Sequence, residues 1–262
     1  MSALQLYIAA VVISLAAVLV GESLCPLHPT PTVPLARWLR NLALSALALG
    51  TTLLAPLLFW SAARMLGVQP GGGWLARWGL PAWGQWLAAF LVLDGMAYVL
   101  HRLSHAVPWL WRLHAVHHSD VELDATTAHR HHPLENLFTA LATLPILVLL
   151  APPVEAVLAY GLLAVVVSTV AHGNLRLPDG LDRVLRRIVV TPAYHRLHHS
   201  RERRQTDSNY ATVFPGFDYL LSSAGAVPAD GGRAMTMGLE YHRDAACQTL
   251  PALLLAPFRA MR

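Results

Sequence analysis

Long uncharged stretches dominate the first two thirds of the chain. No charged side chain occurs in residues 1–21, 41–63 or 136–154, and two shorter uncharged runs cover 78–93 and 156–171. Each of the three long runs is close to the ~20 residues that a helix needs to cross a bilayer. The pattern therefore predicts a membrane protein built from helices.

Proline and glycine mark the expected ends of these helices. We predict helices over residues 4–23, 40–64, 82–104, 135–150 and 154–171. Pro70–Gly73 is predicted to be a loop, and Pro152 and Pro153 separate the last two helices. That pair could cross the membrane twice or form a re-entrant hairpin, which gives five spans or three.

Composition supports a membrane environment. The chain is 55% hydrophobic and 13% charged, whereas soluble domains carry about 25% charged residues. The first apolar run has no Lys or Arg before it and is long for a signal peptide, so we expect a retained helix. The net charge of +4 comes mainly from arginines between the apolar runs, a pattern typical of membrane topology, and no nucleic-acid partner is expected.

Arginine density also predicts the orientation. The polar segments at 101–132 and 183–204 contain most of the arginines. Because positive charge accumulates in cytoplasmic loops, these segments are predicted to lie on the cytoplasmic face, with the N-terminus outside.

Histidine is the unusual residue of this sequence. Of 14 histidines, most lie in closely spaced groups. His101 and His105 are four residues apart, which puts both imidazoles on one face of a helix. A three-histidine pattern then occurs twice, as the following residues: His114, His117 and His118, and His195, His198 and His199.

Crowded neutral imidazoles require a cation or water for their lone pairs, so these boxes predict a metal site. The two cysteines, Cys25 and Cys247, are too far apart in the sequence to suggest a thiolate site. The boxes supply eight ligands, and His132 and His172 would make ten, enough for two metals. Imidazole suits Zn, Cu, Fe and Ni, so spacing alone leaves the metal open.

These motifs resemble those of the fatty acid hydroxylase superfamily, also called the sterol desaturase family. The resemblance runs from about Asp94 to Tyr210. It is carried by His101-Arg-Leu-Ser-His105, Trp111-Arg-Leu-His-Ala-Val-His-His-Ser119, Thr127-Ala-His-Arg-His-His-Pro-Leu-Glu135, Ala171-His-Gly-Asn174, Thr191-Pro-Ala-Tyr-His-Arg-Leu-His-His-Ser200 and Asn209-Tyr210.

The resemblance implies an all-α integral membrane helix bundle with a cytosolic, His-rich helical cap that holds a di-metal site. It implies two iron ions (zinc being possible in a purified protein), O2 as co-substrate, a separate electron-donor protein, and hydroxylation or desaturation of a lipid. The expected location is a bacterial inner membrane or an ER-type membrane. The implied ligands are His101, His105, His114, His117, His118, His132, His172, His195, His198 and His199.

Other polar residues receive secondary roles. Asp94, Glu135 and Asp207 are candidates to orient ligand imidazoles. His129 and His131 are expected to lie behind the ligands or on the surface. After Asn209-Tyr210 the chain departs from the pattern common in the superfamily, which leaves the shape of the C-terminal cap, and hence the substrate, open.

We expect residues 1–262 to form one domain, with N-terminal membrane helices over 1–80, a histidine-box core over 81–210 and a cytosolic cap over 211–262. Two alternatives remain at this stage, a membrane metal transporter and a non-enzymatic zinc-binding membrane protein. A transporter would place its ligands near the middle of the membrane spans, whereas these boxes fall at helix ends and in polar segments.

Overall fold

The computed structural model describes residues 2–29, 35–68 and 72–259, and side chains 52–57, 59 and 60 are outside the description. Part of the predicted loop at Pro70–Gly73 therefore lies outside the described residues. Within the described ranges the chain is helical and has no β-strand, only isolated bridges. The predicted all-α helix bundle is confirmed.

Five long helices form the bundle, close to the predicted positions: α1 Ala3–Leu24, α2 Leu35–Met65, α4 Ala82–Ala106, α6 Pro133–Leu150 and α7 Val154–His172. Shorter α-helices complete the chain: α3 Trp74–Arg77, α5 Pro108–His118, α8 Asp179–Leu185, α9 Pro192–His198, α10 Arg203–Thr206, α11 Gly216–Leu220 and α12 Leu250–Leu255. Three 3₁₀ turns occupy Ala125–His129, Ala245–Gln248 and Ala256–Phe258.

Four of the described helices, α1, α4, α6 and α7, are long and apolar enough to cross a membrane. At 1.5 Å per residue, α6 and α7 are each about 27–29 Å long, close to the thickness of a hydrocarbon core. Ala151 adopts a left-handed conformation (φ 38°) between them, followed by two prolines. Each helix is thus long enough to cross on its own, as the five-span topology requires.

Proline starts the two helices that carry the second and third histidine boxes, and also α6. Pro108, Pro133 and Pro192 each occupy the first turn of a helix, where the missing N–H costs nothing and the fixed φ suits the helix. The Thr191 hydroxyl also accepts the N–H of Tyr194 and caps α9. These starts fix the register in which the boxes face inward.

The long helices pair so that their histidine-bearing ends meet. α2 lies along α6, α1 along α7, and α4 packs against both α5 and α7. His105 lies in the last turn of α4, His172 is the last residue of α7, and α6 begins directly after the His131-His132 pair. The ends of three apolar helices therefore converge on one polar region under the short helices.

Candidate metal centre

Nine histidines converge beneath the short helices and separate into two groups. The first group contains His101, His105, His114, His118 and His198. The second contains His117, His172, His195 and His199. Within each group the candidate ligand atoms all lie within 4.8 Å of one another. All eight box histidines and His172 are thus brought together.

The two groups lie side by side because boxes two and three each contribute to both. The imidazole of His118 stacks on that of His199 with ring centroids 4.5 Å apart. The rings of His117 and His199 are 4.6 Å apart. Each three-histidine box therefore bridges two neighbouring sites, which suits a pair of metals.

In several of these histidines Nδ1 is bound to a backbone carbonyl, and Nε2 faces the other histidines. The Nδ1–H of His101 donates to the Tyr210 carbonyl at 2.7 Å, and that of His198 donates to the Ser208 carbonyl at 2.7 Å. His172 donates likewise to the Ser168 carbonyl at 2.7 Å. A neutral ring that donates from Nδ1 keeps an unprotonated lone pair on Nε2.

These inward lone pairs face one another at distances that neutral rings do not tolerate. The Nε2 atoms of His101 and His114 are 3.1 Å apart, although both rings donate from Nδ1. Two acceptors cannot hydrogen-bond to each other, so a shared cation is what satisfies this pair. The Nε2 atoms of His172 and His195 are also close, at 3.0 Å, although no partner of the His195 Nδ1 fixes the tautomer of that ring.

Burial makes the need for a cation stronger. Desolvation, and next the neighbouring His114, lower the pKa of His198 to about 3. Desolvation and then His195 lower the pKa of His199 well below its usual value. The Nε2 atoms of His105 and His198 are buried without a hydrogen-bond partner. The residues present therefore fit a pair of metal ions, held by neutral imidazoles.

Carboxylates hold two of the ligand rings from behind. Glu135 accepts the Nδ1–H of His114 at 2.7 Å, and Asp207 accepts that of His105 at 3.1 Å. Such partners fix the tautomer and orientation of a metal-binding imidazole. Both were candidates from the sequence to orient an imidazole, and the structure places each of them against one.

Asp94 does not contact a ligand, contrary to the expectation that it orients one. Its carboxylate accepts the Tyr160 hydroxyl at 3.0 Å and the backbone N–H groups of Val213 and Phe214 at 3.3 Å each. The physical reason is that the chain after Tyr210 folds back along α4 and presents unpaired amides to this carboxylate.

His132 also lies apart from both groups, although the resemblance implied that it is a ligand. Its Nδ1 accepts the N–H of Leu134, so it caps α6, and its Nε2 donates to the Leu254 carbonyl at 3.2 Å. Pro133 starts the helix and fixes His132 at the cap position, which turns its ring away from the cluster.

His131 approaches the ligands where His132 does not. Its ring stacks on His117 with centroids 4.3 Å apart, and its Nδ1 donates to Glu135 at 3.2 Å. Although desolvation lowers the pKa of His131, the charge of Glu135 outweighs it and raises that pKa. His129 is buried at the end of its 3₁₀ turn, outside both groups.

Asn209 supplies a feature that the motif did not reveal. It adopts a left-handed conformation (φ 55°) between Ser208 and Tyr210, whose carbonyls hold His198 and His101. Its side-chain amide donates to the Tyr194 carbonyl at 2.8 Å and accepts the Gly225 N–H at 2.7 Å. This residue therefore fixes the turn that orients two ligands of the first group.

Arg130 holds the end of box two from the opposite side. It is fully buried, and its Nε donates to the Val116 carbonyl at 2.9 Å. The guanidinium also donates to Asn41 at 2.9 Å and Ser119 at 2.8 Å, and to Gln248 at 2.7 Å. This single side chain links α2, α5 and the 3₁₀ turn Ala245–Gln248.

A cavity of about 260 Å³ opens beside the two groups. Its walls come from α4, α6, α7 and the chain around Val190 and Ala211, and several candidate ligands also line it. Apolar Ala97 and Leu100 and polar Ser104 and Thr139 belong to the same lining. Its place beside the histidines suits a largely apolar substrate.

Comparison with known proteins agrees with this geometry. Residues 86–223, just over half of the chain, match the fatty acid hydroxylase family. The chain is 34% identical over 147 residues to the ornithine lipid hydroxylase OlsE of Rhizobium tropici, covering 53% of this chain and 43% of that protein. It is 33% identical over 140 residues to human alkylglycerol monooxygenase, covering 53% of this chain and 30% of that protein.

A third relative is methylsterol monooxygenase 2-2 of Arabidopsis thaliana, 28% identical over 149 residues, which is 55% of each chain. The match thus spans only about a third to a half of the curated relatives' length. No solved structure matches the chain. The histidine boxes, their geometry and the matched region agree, and the chain belongs to the fatty acid hydroxylase family.

Proposed function

We propose that this protein is a membrane-bound, O2-dependent lipid hydroxylase whose two metals are iron. The observation that carries the proposal is the pair of adjacent imidazole clusters that both line a cavity between apolar helices. The relatives named above are hydroxylases and monooxygenases of lipids, which favours hydroxylation over desaturation.

Each cluster has a defined task in this proposal. The first would hold one metal through His101, His105, His114, His118 and His198, and the second would hold the other through His117, His172, His195 and His199. Bound iron would supply the capacity to activate O2 for attack on a C–H bond. Glu135, Asp207 and the backbone carbonyls keep the ligand rings in one tautomer.

The remaining residues prepare the site for the substrate. The apolar side chains Ala97, Leu100 and Ala171 line the cavity and would exclude water from the reacting carbon. Net hydroxylation inserts one oxygen atom of O2 into a C–H bond and reduces the other to water, which consumes two electrons and two protons. We propose that a separate donor protein supplies the electrons.

Orientation and organisation are part of the same proposal. Four candidate spans and the family assign a multi-pass membrane protein. We propose that the metal centre faces the cytoplasm because its segments carry the densest arginines. The chain would act as one domain, with membrane helices over 1–80 and the histidine-box core over 81–210. The bacterial inner membrane or an ER-type membrane would be its location.

The two alternatives are less well supported. A transporter needs ligands along a path through the spans, whereas these histidines cluster where three helices end. A structural zinc site normally uses four ligands in a closed shell, but the first group here offers five and both border an open cavity. Neither alternative accounts for that cavity.

Isotope labelling in cells tests the proposed function. Cells that express the protein are grown under ¹⁸O2, and their lipids are compared by mass spectrometry with those of cells expressing His195→Ala. We expect a lipid product that carries one ¹⁸O atom only with the intact protein. Absence of label from every lipid class, with iron bound and a host donor present, would overturn the proposal.

A cavity variant separates substrate binding from metal binding. Ala97→Phe fills the cavity and should abolish labelling while leaving the metal content unchanged. Val99→Phe is the matched control, because Val99 is 45% exposed on the same helix and does not line the cavity. Equal labelling by the two variants would show that this cavity does not hold the substrate.

A further inference from the structure

Two short segments, one at α8 and one at α11, carry large apolar side chains on their outer surface. The exposed residues are Leu181, Val184, Ile188, Tyr219, Leu220 and Leu221. Leu220 is 75% exposed and Ile188 is 64% exposed. The Tyr219 hydroxyl donates to the Arg186 carbonyl at 2.9 Å, so α8 and α11 share one surface. A contiguous apolar surface of this kind marks a contact with a protein or a membrane.

The second segment lies beside the middle of α4. The ring of Phe217 is so close to Gly95 that a Cβ on that glycine would be 3.0 Å from it. Gly95 is roughly three turns before the last residue of α4, or about 16 Å along the axis. Because α4 is a candidate membrane span, Phe217 lies at the depth of the span rather than above it.

Backbone N–H groups in and next to this segment donate hydrogen bonds to two buried carboxylates. Asp94 accepts the N–H groups of Val213 and Phe214. Asp218 accepts those of Tyr210 at 2.9 Å and Ala211 at 2.8 Å. Irregular backbone is tolerated within a membrane only where its polar groups are satisfied by protein. Here the buried carboxylates of Asp94 and Asp218 satisfy these N–H groups.

The sequence of the segment fits the same environment. Between Asp207 and Asp230 the only charged residue is Asp218, which is buried and fully engaged with its neighbours. The packed side also joins the bundle, since Val213 and Phe214 belong to one apolar cluster with Leu93 and Tyr160 of the spans. Its other side forms an outer surface that no described part of the chain covers.

We propose that residues 212–223 are immersed in the acyl-chain region of the bilayer, in the leaflet next to the metal centre. The occupant of the exposed surface is lipid, because Phe217 of this segment packs against Gly95, one helical turn from exposed Leu91 on the candidate span α4. The apolar side chains of α8 extend it, and exposed Arg183 and Arg187 beside them suit the phosphate level of the same leaflet. The C-terminal cap is thus partly a membrane element and not wholly cytosolic.

Site-directed spin labelling of the full chain in liposomes tests this inference. The two free cysteines, Cys25 and Cys247, are replaced by serine, and one nitroxide is attached through Leu220→Cys. Leu91→Cys on the outer face of α4 provides the lipid reference, and exposed Glu202→Cys provides the aqueous one. Collision rates with O2 and with a water-soluble nickel complex are measured for each.

We expect the Leu220 label to behave like the Leu91 label, with frequent O2 collisions and exclusion of nickel. A Leu220 label that collides with nickel as often as the Glu202 label does would overturn the inference. A label shielded from both O2 and nickel would also overturn it, because that result would indicate a protein partner or a second copy. Metal content equal to the parent's verifies the fold of each variant, and Leu221→Cys gives the same readout should Leu220→Cys not fold. Neither result depends on the enzymatic proposal.

Discussion

Glu135 accepts a hydrogen bond from Nδ1 of His114 at 2.7 Å, deep in the protein. The same carboxylate oxygen also accepts Nδ1–H of His131 at 3.2 Å. A carboxylate behind an imidazole fixes its orientation and makes its other nitrogen a stronger metal ligand. Glu135 is therefore the most direct link between the start of α6 and the first histidine group.

Glu135→Gln should weaken metal binding without unfolding the site. The amide keeps the shape and an acceptor oxygen but loses the charge, so we expect a loss of about 10–100-fold in metal affinity. Competition with a chelator measures it. Glu155→Gln is the matched control, because Glu155 is exposed in the first turn of α7. Equal metal retention by the two variants would contradict the role of Glu135.

His132→Asn should leave the metal content of the protein unchanged. Asparagine preserves the cap of α6, and His132 lies outside both histidine groups. His198→Asn, by contrast, removes a buried member of the first group and should lower the metal content. Elemental analysis of the purified variants distinguishes them, and loss of metal from His132→Asn would show that this histidine is a ligand after all.

Asn209→Ala should destabilise the protein by roughly 2–4 kcal/mol, because alanine resists a positive φ and two buried hydrogen bonds are lost. Its metal content should fall as the Ser208 and Tyr210 carbonyls move away from their histidines. Asn209→Gly removes the same hydrogen bonds but tolerates the conformation, so its unfolding midpoint should lie between those of the alanine variant and the parent. Thermal unfolding in detergent measures both, and an alanine variant as stable as the parent would refute the account.

Arg130→Lys should destabilise the protein by about 2–4 kcal/mol, although it conserves the charge. Lysine has a single ammonium group and cannot reach the acceptors that the guanidinium fork serves on three elements. Thermal unfolding again provides the measurement, with exposed Arg204→Lys as the control. The two variants should differ clearly in their midpoints, and identical midpoints would mean that the buried hydrogen bonds contribute little.

The sequence was a good guide to the helices and to the clustering of the histidines for identifiable physical reasons. Uncharged runs located the long helices within a few residues, apart from an earlier start of α2, because hydropathy and proline act locally. The box spacing was equally informative, since residues three and four apart share a helix face. His101 and His105 on α4 illustrate this directly.

Features that depend on tertiary contacts were beyond the sequence. Asp94 was expected near a ligand because it lies two turns before His101, but the returning chain at Val213 and Phe214 uses its carboxylate instead. Which of the neighbouring residues His131 and His132 approaches the histidine groups depends on the start of α6, where His132 is the N-cap. The left-handed turn at Asn209 carries no distinctive local pattern, since its role arises from the carbonyls on either side.

The central claim is that nine histidines form two adjacent metal sites. Elemental analysis of anaerobically purified protein, combined with exact protein quantification by amino-acid analysis, tests it most directly. We predict two metal ions per chain in the parent and about one after His117→Ala or His195→Ala, which impair the second group alone. A single metal per chain in the parent, or two retained after both substitutions together, would contradict the claim.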